Sequence, residues 1–211
     1  SGMGDYERLW ITESLRGLVG GTLKVAVSAE GVHSGMASGV MPSSFRLARL
    51  LLSRLEDAES GELVPDWLHV ELSDQLRIDA AGIVSVLGDS IVTDFPFLEG
   101  VRAQHDDMVE ALLAQNWKPT LSITGADGMP PISAAGNVLR TNTDLKVSVR
   151  IPPGVESEPA SVLLKSLFES EPPFGAHVKF ELDAAANGFS APPMPSAVVA
   201  ALDTASRYTF G

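Results

Sequence analysis

The chain has 211 residues, 45% hydrophobic and 20% charged, which suits a globular domain with a core and not a disordered segment. Its formal net charge is −12 and its Lys and Arg residues form no cluster, so a nucleic-acid partner is not expected. There are no cysteines, which excludes disulfides and thiolate zinc sites and fits a cytoplasmic location.

From the N-terminus, Ser1-Gly2-Met3 reads as a tag remnant before an internal start, and residues 1–20 as that remnant plus a linker strand. The apolar stretch here is broken by Glu7, Arg8, Glu13 and Arg16, unlike a signal peptide. No run in the chain reaches the roughly 18 apolar residues of a membrane span, so no membrane partner is expected. Leu23 to Glu30 alternates apolar and polar residues, the mark of a strand with one buried and one wet face. Pro42-Ser43-Ser44 then opens a helix with an apolar stripe of Phe45, Ala48, Leu51, Leu52 and Leu55.

Residues 58–117 are too long for a plain loop in a compact domain. Helical spacing from Val101 to Leu113 predicts an insertion with at least two helices. Alternation returns at Thr120–Thr124, Leu145–Ile151 and Ala176–Leu182, giving three more strands. Ser157-Glu158-Pro159 opens a second helix, with Ser157 as cap and Val162, Leu163, Leu167 and Phe168 as its stripe. Pro172-Pro173 stops it. A last helix, Pro195 to Tyr208, follows the Pro192-Pro193 break and looks like the start of a separate unit.

The order strand, helix, strand, strand, helix, strand predicts an α+β fold. The expected form is a ferredoxin-like βαββαβ two-layer sandwich, a four-stranded antiparallel sheet with two helices on one face and a helical insertion. Such a sheet keeps edges that invite pairing.

Arg16-Gly17-Leu18, then a strand, then Val32-His33-Ser34-Gly35 resembles the opening of the lid domain in dizinc metallopeptidases of the carnosinase, glutamate carboxypeptidase and succinyl-diaminopimelate desuccinylase type. Gly136-Asn137-Val138-Leu139, then Val149-Arg150-Ile151-Pro152, resembles a later segment of the same domain. Arg140 departs from it, standing where the family has Pro. The long insertion is similar to that of dipeptidase-like members.

The resemblance implies a lid and dimerisation domain over 21–184, with 185–211 the start of the returning catalytic domain. It implies a parent hydrolase of dipeptides or acylated amino acids that uses two zinc ions and a water they share. It also implies that this chain binds no zinc itself, because the family's metal ligands and general base lie in the flanking catalytic domain. His33 would reach across a homodimer to stabilise the oxyanion of the tetrahedral intermediate. Arg150 would grip the carboxylate of a peptide-like substrate, and Asn137 would hydrogen-bond it. The two lids would join edge to edge with their first helices side by side, and pairing at the first strand would aim His33 at the partner.

From the residues alone, His33 is equally a surface loop histidine, Arg150 a strand-face Arg paired with a Glu, and Asn137 a turn Asn. His105-Asp106-Asp107 reads as a solvated face of an insertion helix rather than a ligand pair. Two other functions fit the pattern less well. One is a free-standing ferredoxin-like regulatory domain that binds a small ligand. The other is a complete enzyme using His33, His105 and Asp107.

Overall fold

A computed structural model describes residues 8–210, so the Ser1-Gly2-Met3 remnant lies outside the described residues. The first elements are β1 (Ser14–Leu15), β2 (Gly17–Ala26), β3 (Val32–His33), α1 (Ser34–Ala37) and α2 (Ser44–Leu52). The insertion carries α3 (Asp74–Leu87), α4 (Ser90–Thr93) and α5 (Met108–Trp117). Then follow β4 (Thr120–Asp127), β5 (Val138–Leu139), β6 (Asn142–Ile151), α6 (Ser157–Glu169), β7 (His177–Ala186), β8 (Phe189–Ser190) and α7 (Ser196–Phe210).

The main sheet has four strands in the order β4-β6-β2-β7, with every neighbouring pair antiparallel. Its alternation sends Val147, Val149 and Ile151 of β6, Leu23 and Val25 of β2, and Phe180 of β7 to one face. There they bury against Leu47, Ala48 and Leu51 of α2 and Ala160, Leu164 and Phe168 of α6. The Phe168 and Phe180 rings meet at 5.3 Å between centroids. Ser44 and Thr143 are the polar pair in this layer, and each satisfies the other across 2.9 Å. Lys146, Ser148 and Arg150 alternate onto the opposite, open face.

The first strand starts at Gly17, six residues before the predicted start at Leu23, and ends at Ala26. Gly20 and Gly21 hide its beginning, because they carry no side chain to show alternation. They flank the point where the register with β7 shifts at a bulge, and of the two only Gly21 is crowded there. A Cβ on Gly21 would stand 2.6 Å from the Phe180 ring.

The predicted α2 stripe holds at Ala48, Leu51, Leu52 and Leu55 and the α6 stripe at Leu167 and Phe168, with misses at the start of each. In α2, Leu47 is buried and Phe45 is exposed, because Leu47, Ala48 and Leu51 are the residues turned onto β2 and β6. In α6, Val162 and Leu163 are exposed, and Ala160, Leu164 and Phe168 take the core. Ser157 is not the cap of α6 but its first residue. Its N–H donates to the Asn187 side chain at 2.7 Å, so the cap comes from beyond β7.

In the insertion, no helix covers residues 94–107; α5 begins only at Met108. Asp107 is its N-cap, accepting from the Val109 and Glu110 N–H groups at 2.8 and 2.9 Å. His105 and Asp106 therefore precede the helix rather than lie on its face. The expected pairing through the first strand also fails. β2 is interior, flanked by β6 and β7, so the free edges of the sheet are β4 and β7. Among the described residues no helix is long and apolar enough to cross a membrane.

Candidate functional site

His33 stands at the end of a short arm that leaves the sheet after β2. The arm is clipped by the two-stranded pair β3 and β5, with Val32 opposite Leu139 and His33 opposite Val138. The Ser34 N–H donates to the Asn137 carbonyl at 2.9 Å. His33 and Asn137, 104 positions apart in the chain, thus sit side by side at one end of the sheet, both exposed.

The ring of His33 is held in one tautomer. Its Nδ1 accepts the Gly35 N–H at 3.1 Å and so caps α1. A nitrogen that accepts carries no proton, so in the neutral imidazole the proton is on Nε2, which is left as a donor. Gly35 gives the ring its backbone donor. Its second task is to leave room, since a Cβ there would lie 3.0 Å from His33 Cε1. The two-residue spacing of His33 and Gly35 was the available signal, for that spacing is what lets a side chain cap the turn it opens.

Arg150 lies elsewhere. It is exposed on the open face of β6, opposite Leu18 on one side and Thr120 on the other. Eight residues at about 3.3 Å each separate it from Asn142, at the end of β6 nearest the His33 arm, or about 26 Å. The carboxylates on this face are engaged by lysines: Glu181 by Lys24 and Lys179 at 2.7 and 2.8 Å, and Asp183 by Lys146. Among the described residues Arg150 has no carboxylate or hydrogen-bond partner. Its near neighbour in charge is Arg16, whose guanidinium is held below the usual arginine value by burial and then by Arg150.

A zinc site needs three or four converging His, Cys, Asp or Glu donors. Among the described residues no three such groups converge, so the side chains present do not fit the ion. The pattern His33, His105 and Asp107 is not brought together either, with Asp107 spent on capping α5. His69 bonds the Leu63 carbonyl at 2.6 Å and His177 is exposed on edge strand β7, so neither joins the other residues.

This is a sheet domain that presents polar side chains at two separate ends. Residues 14–176 match the family described as the peptidase dimerisation domain of the M20 peptidases, and the chain belongs to that family. Human carnosine dipeptidase 1 has a similar structure, with TM-score 0.68 at 20% identity over 92% of this chain and 41% of that one. The dipeptidase Dug1p of Saccharomyces cerevisiae gives 0.67 at 19%, again over 92% and 41%. An M20 family metallo-carboxypeptidase of Sulfolobus solfataricus gives 0.66 at 16%, over 97% and 52%. At these identities the likeness concerns the fold, and the chain spans about half or less of each of those proteins. No curated protein matches the sequence.

Proposed function

We propose that this chain is the lid and homodimerisation domain of a zinc-dependent M20 metallopeptidase that hydrolyses dipeptides or acylated amino acids. In this reading residues 185–211 begin the return to a catalytic domain that holds both zinc ions. The β4-β6-β2-β7 order, with α2 and α6 on one face, is then a ferredoxin-like βαββαβ sandwich with a helical insertion at 58–117.

One observation carries the proposal: the two groups of polar residues are too far apart to serve one substrate from one chain. His33 and Asn137 share an end, and Arg150 is about 26 Å along the strand from it. A site using all three takes Arg150 from one copy and His33 with Asn137 from the other, which requires a dimer. Arg150, unpaired among the described residues, fits the carboxylate of the substrate. The Nε2–H of His33, already oriented by Gly35, fits an oxyanion that forms on the scissile carbonyl. The edge that suits pairing is β4, exposed over most of its length, beside β6, on which α2 packs with its exposed Phe45 and Leu50.

The test is the mass of the chain by light scattering at about 100 µM, where an interface of standard size is populated. A dimer is expected, and Ile123→Lys on β4 should return it to monomer. A monomer in the unsubstituted chain would overturn the pairing. In the intact hydrolase, His33→Ala should lower kcat about 10²–10³-fold, the cost of losing one oxyanion donor. Unchanged kcat would remove His33 from the mechanism.

A further inference from the structure

A cavity of about 220 Å³ lies between the insertion and the start of the main sheet, open to solvent, and the residues above do not account for it. Its walls are apolar: Ile91 and Val92 of α4, Phe95 and Phe97 beyond it, and Ala111 of α5. Arg16 also lines it, and among the described residues no Asp or Glu does, in a chain whose net charge is −12.

Arg16 is fixed before any ligand arrives. Its Nη1 donates to the carbonyls of Ala114 and Lys118 at 3.3 and 3.2 Å and to Thr120 Oγ1 at 3.0 Å. These bonds tie the last turn of α5 to the head of β4, where a cation also suits the carbonyl end of the helix. They use one nitrogen. Nε and Nη2 have no partner among the described residues. Glu110 of α5 is bound by Arg77 and Lys118 at 2.6 and 2.9 Å, not by Arg16. Thr120, part of the cavity wall, is the direct cross-strand neighbour of Arg150, so a second guanidinium lies close by.

We propose that this cavity binds a small carboxylate with an apolar body. The carboxylate sits on the free N–H groups of Arg16, and the apolar part lies against Phe95, Phe97 and Ile91. A half-buried guanidinium with no counter-ion among the described residues favours an anion, and its fork matches a carboxylate. The apolar walls select a ligand that is charged at one end only. The volume falls below the roughly 300–1,000 Å³ of drug-sized sites, so the ligand is of amino-acid size rather than a protein segment. Gln104, His105 and Gln115, also in the lining, offer polar contacts for a second group on the ligand. This site does not depend on the lid assignment. Its failure would leave the dimer and His33 tests as they stand, and theirs would leave this one.

The experiment is titration of the whole chain with phenylacetate, phenylacetamide and inorganic phosphate, followed by calorimetry and by amide shifts in ¹H–¹⁵N spectra. Phenylacetate should bind at one site per chain and shift amides around Phe97 and Ala114. Phenylacetamide should bind about tenfold or more weakly, because it lacks the charge-assisted bond. Ala111→Leu, which fills the cavity and leaves Arg16 in place, should abolish binding. Arg16→Gln should do the same, and Ala111→Leu keeps the test decisive if Arg16→Gln loosens α5. Equal affinity for the amide, equal affinity for phosphate, or unchanged binding in Ala111→Leu would each overturn the proposal.

Discussion

Gly20 and Gly21 are neighbours in β2 with opposite demands on space, and alanine at each should move stability in opposite directions. A Cβ on Gly21 would lie 2.5 Å from the Glu181 carbonyl oxygen and 2.6 and 2.9 Å from two carbons of the Phe180 ring. The carbonyl is part of the β7 backbone and cannot turn away. The ring is packed on Phe168 and has no free side to move into. Overpacking of this kind costs about 1–3 kcal/mol. A Cβ on Gly20 meets nothing closer than 3.5 Å, ordinary contact with the Val147 carbonyl and the Ala184 and Asp183 side chains. There alanine mainly restricts the unfolded chain and should stabilise by about 0.4–1 kcal/mol. In urea, with m about 2–3 kcal/mol per M, a loss of about 2 kcal/mol lowers the Gly21→Ala midpoint by about 0.7–1 M. The Gly20→Ala midpoint should rise by about 0.1–0.5 M on the same slope. Fluorescence of Trp67, packed against the core, would report both transitions. Equal shifts in the two variants would refute the claim that the bulge separates a crowded position from an open one.

Two further outcomes follow from buried and charged pairs. Thr143→Val leaves the buried Ser44 hydroxyl without its partner and should cost about 1–3 kcal/mol, whereas adding Ser44→Ala should recover most of it. Urea unfolding of the two variants checks this, and a double variant no better than the single one would contradict it. Hydrogen bonds from Lys179 and then Lys24 lower the Glu181 carboxyl to about 2. Its folded value lies below the unfolded one, so its contribution is present above about pH 4.5 and is lost as pH falls toward 2. A carbon-detected titration of Glu181 should show a midpoint near 2, and Glu181→Gln should flatten the acid limb of stability. A midpoint near 4.5 would show that the lysine contacts do not hold in solution.

All four sheet strands were legible in the sequence, because each has one buried and one wet face and the period-two pattern follows directly. The α2 and α6 segments were legible too, with most of the α2 stripe, but not the rotation of α6. Val162, Leu163 and Leu164 are three consecutive apolar residues that fit two helix phases, and only Ala160 and Phe168 on the sheet side decide between them. The start of β2 was hidden by glycines, which have no polarity to alternate. His33 and Asn137 were each visible as residues, but their adjacency was not. It depends on two-residue strands too short to carry any period. That Arg150 stands without a carboxylate partner could not be read either, since a strand sequence does not say which lysines reach Glu181 and Asp183. The cavity at Arg16 was missed because its walls come from a segment without regular spacing, where Phe95 and Phe97 look like ordinary core.

The pairing of β1 with β8 gives the body a narrow neck. Ser14 faces Ser190, Leu15 faces Phe189, and the Ala191 N–H reaches the Glu13 carbonyl at 2.7 Å. The crossing is tight enough that a Cβ on Gly188 would stand 2.8 Å from the Leu15 carbonyl oxygen. The chain therefore leaves the folded body where it came in, as a handle leaves a cup. A body attached in this way swings as a whole when the neck twists, and nothing inside its core has to rearrange. It is also a graftable part: a loop on another scaffold with ends one strand spacing apart, about 5 Å, could carry it.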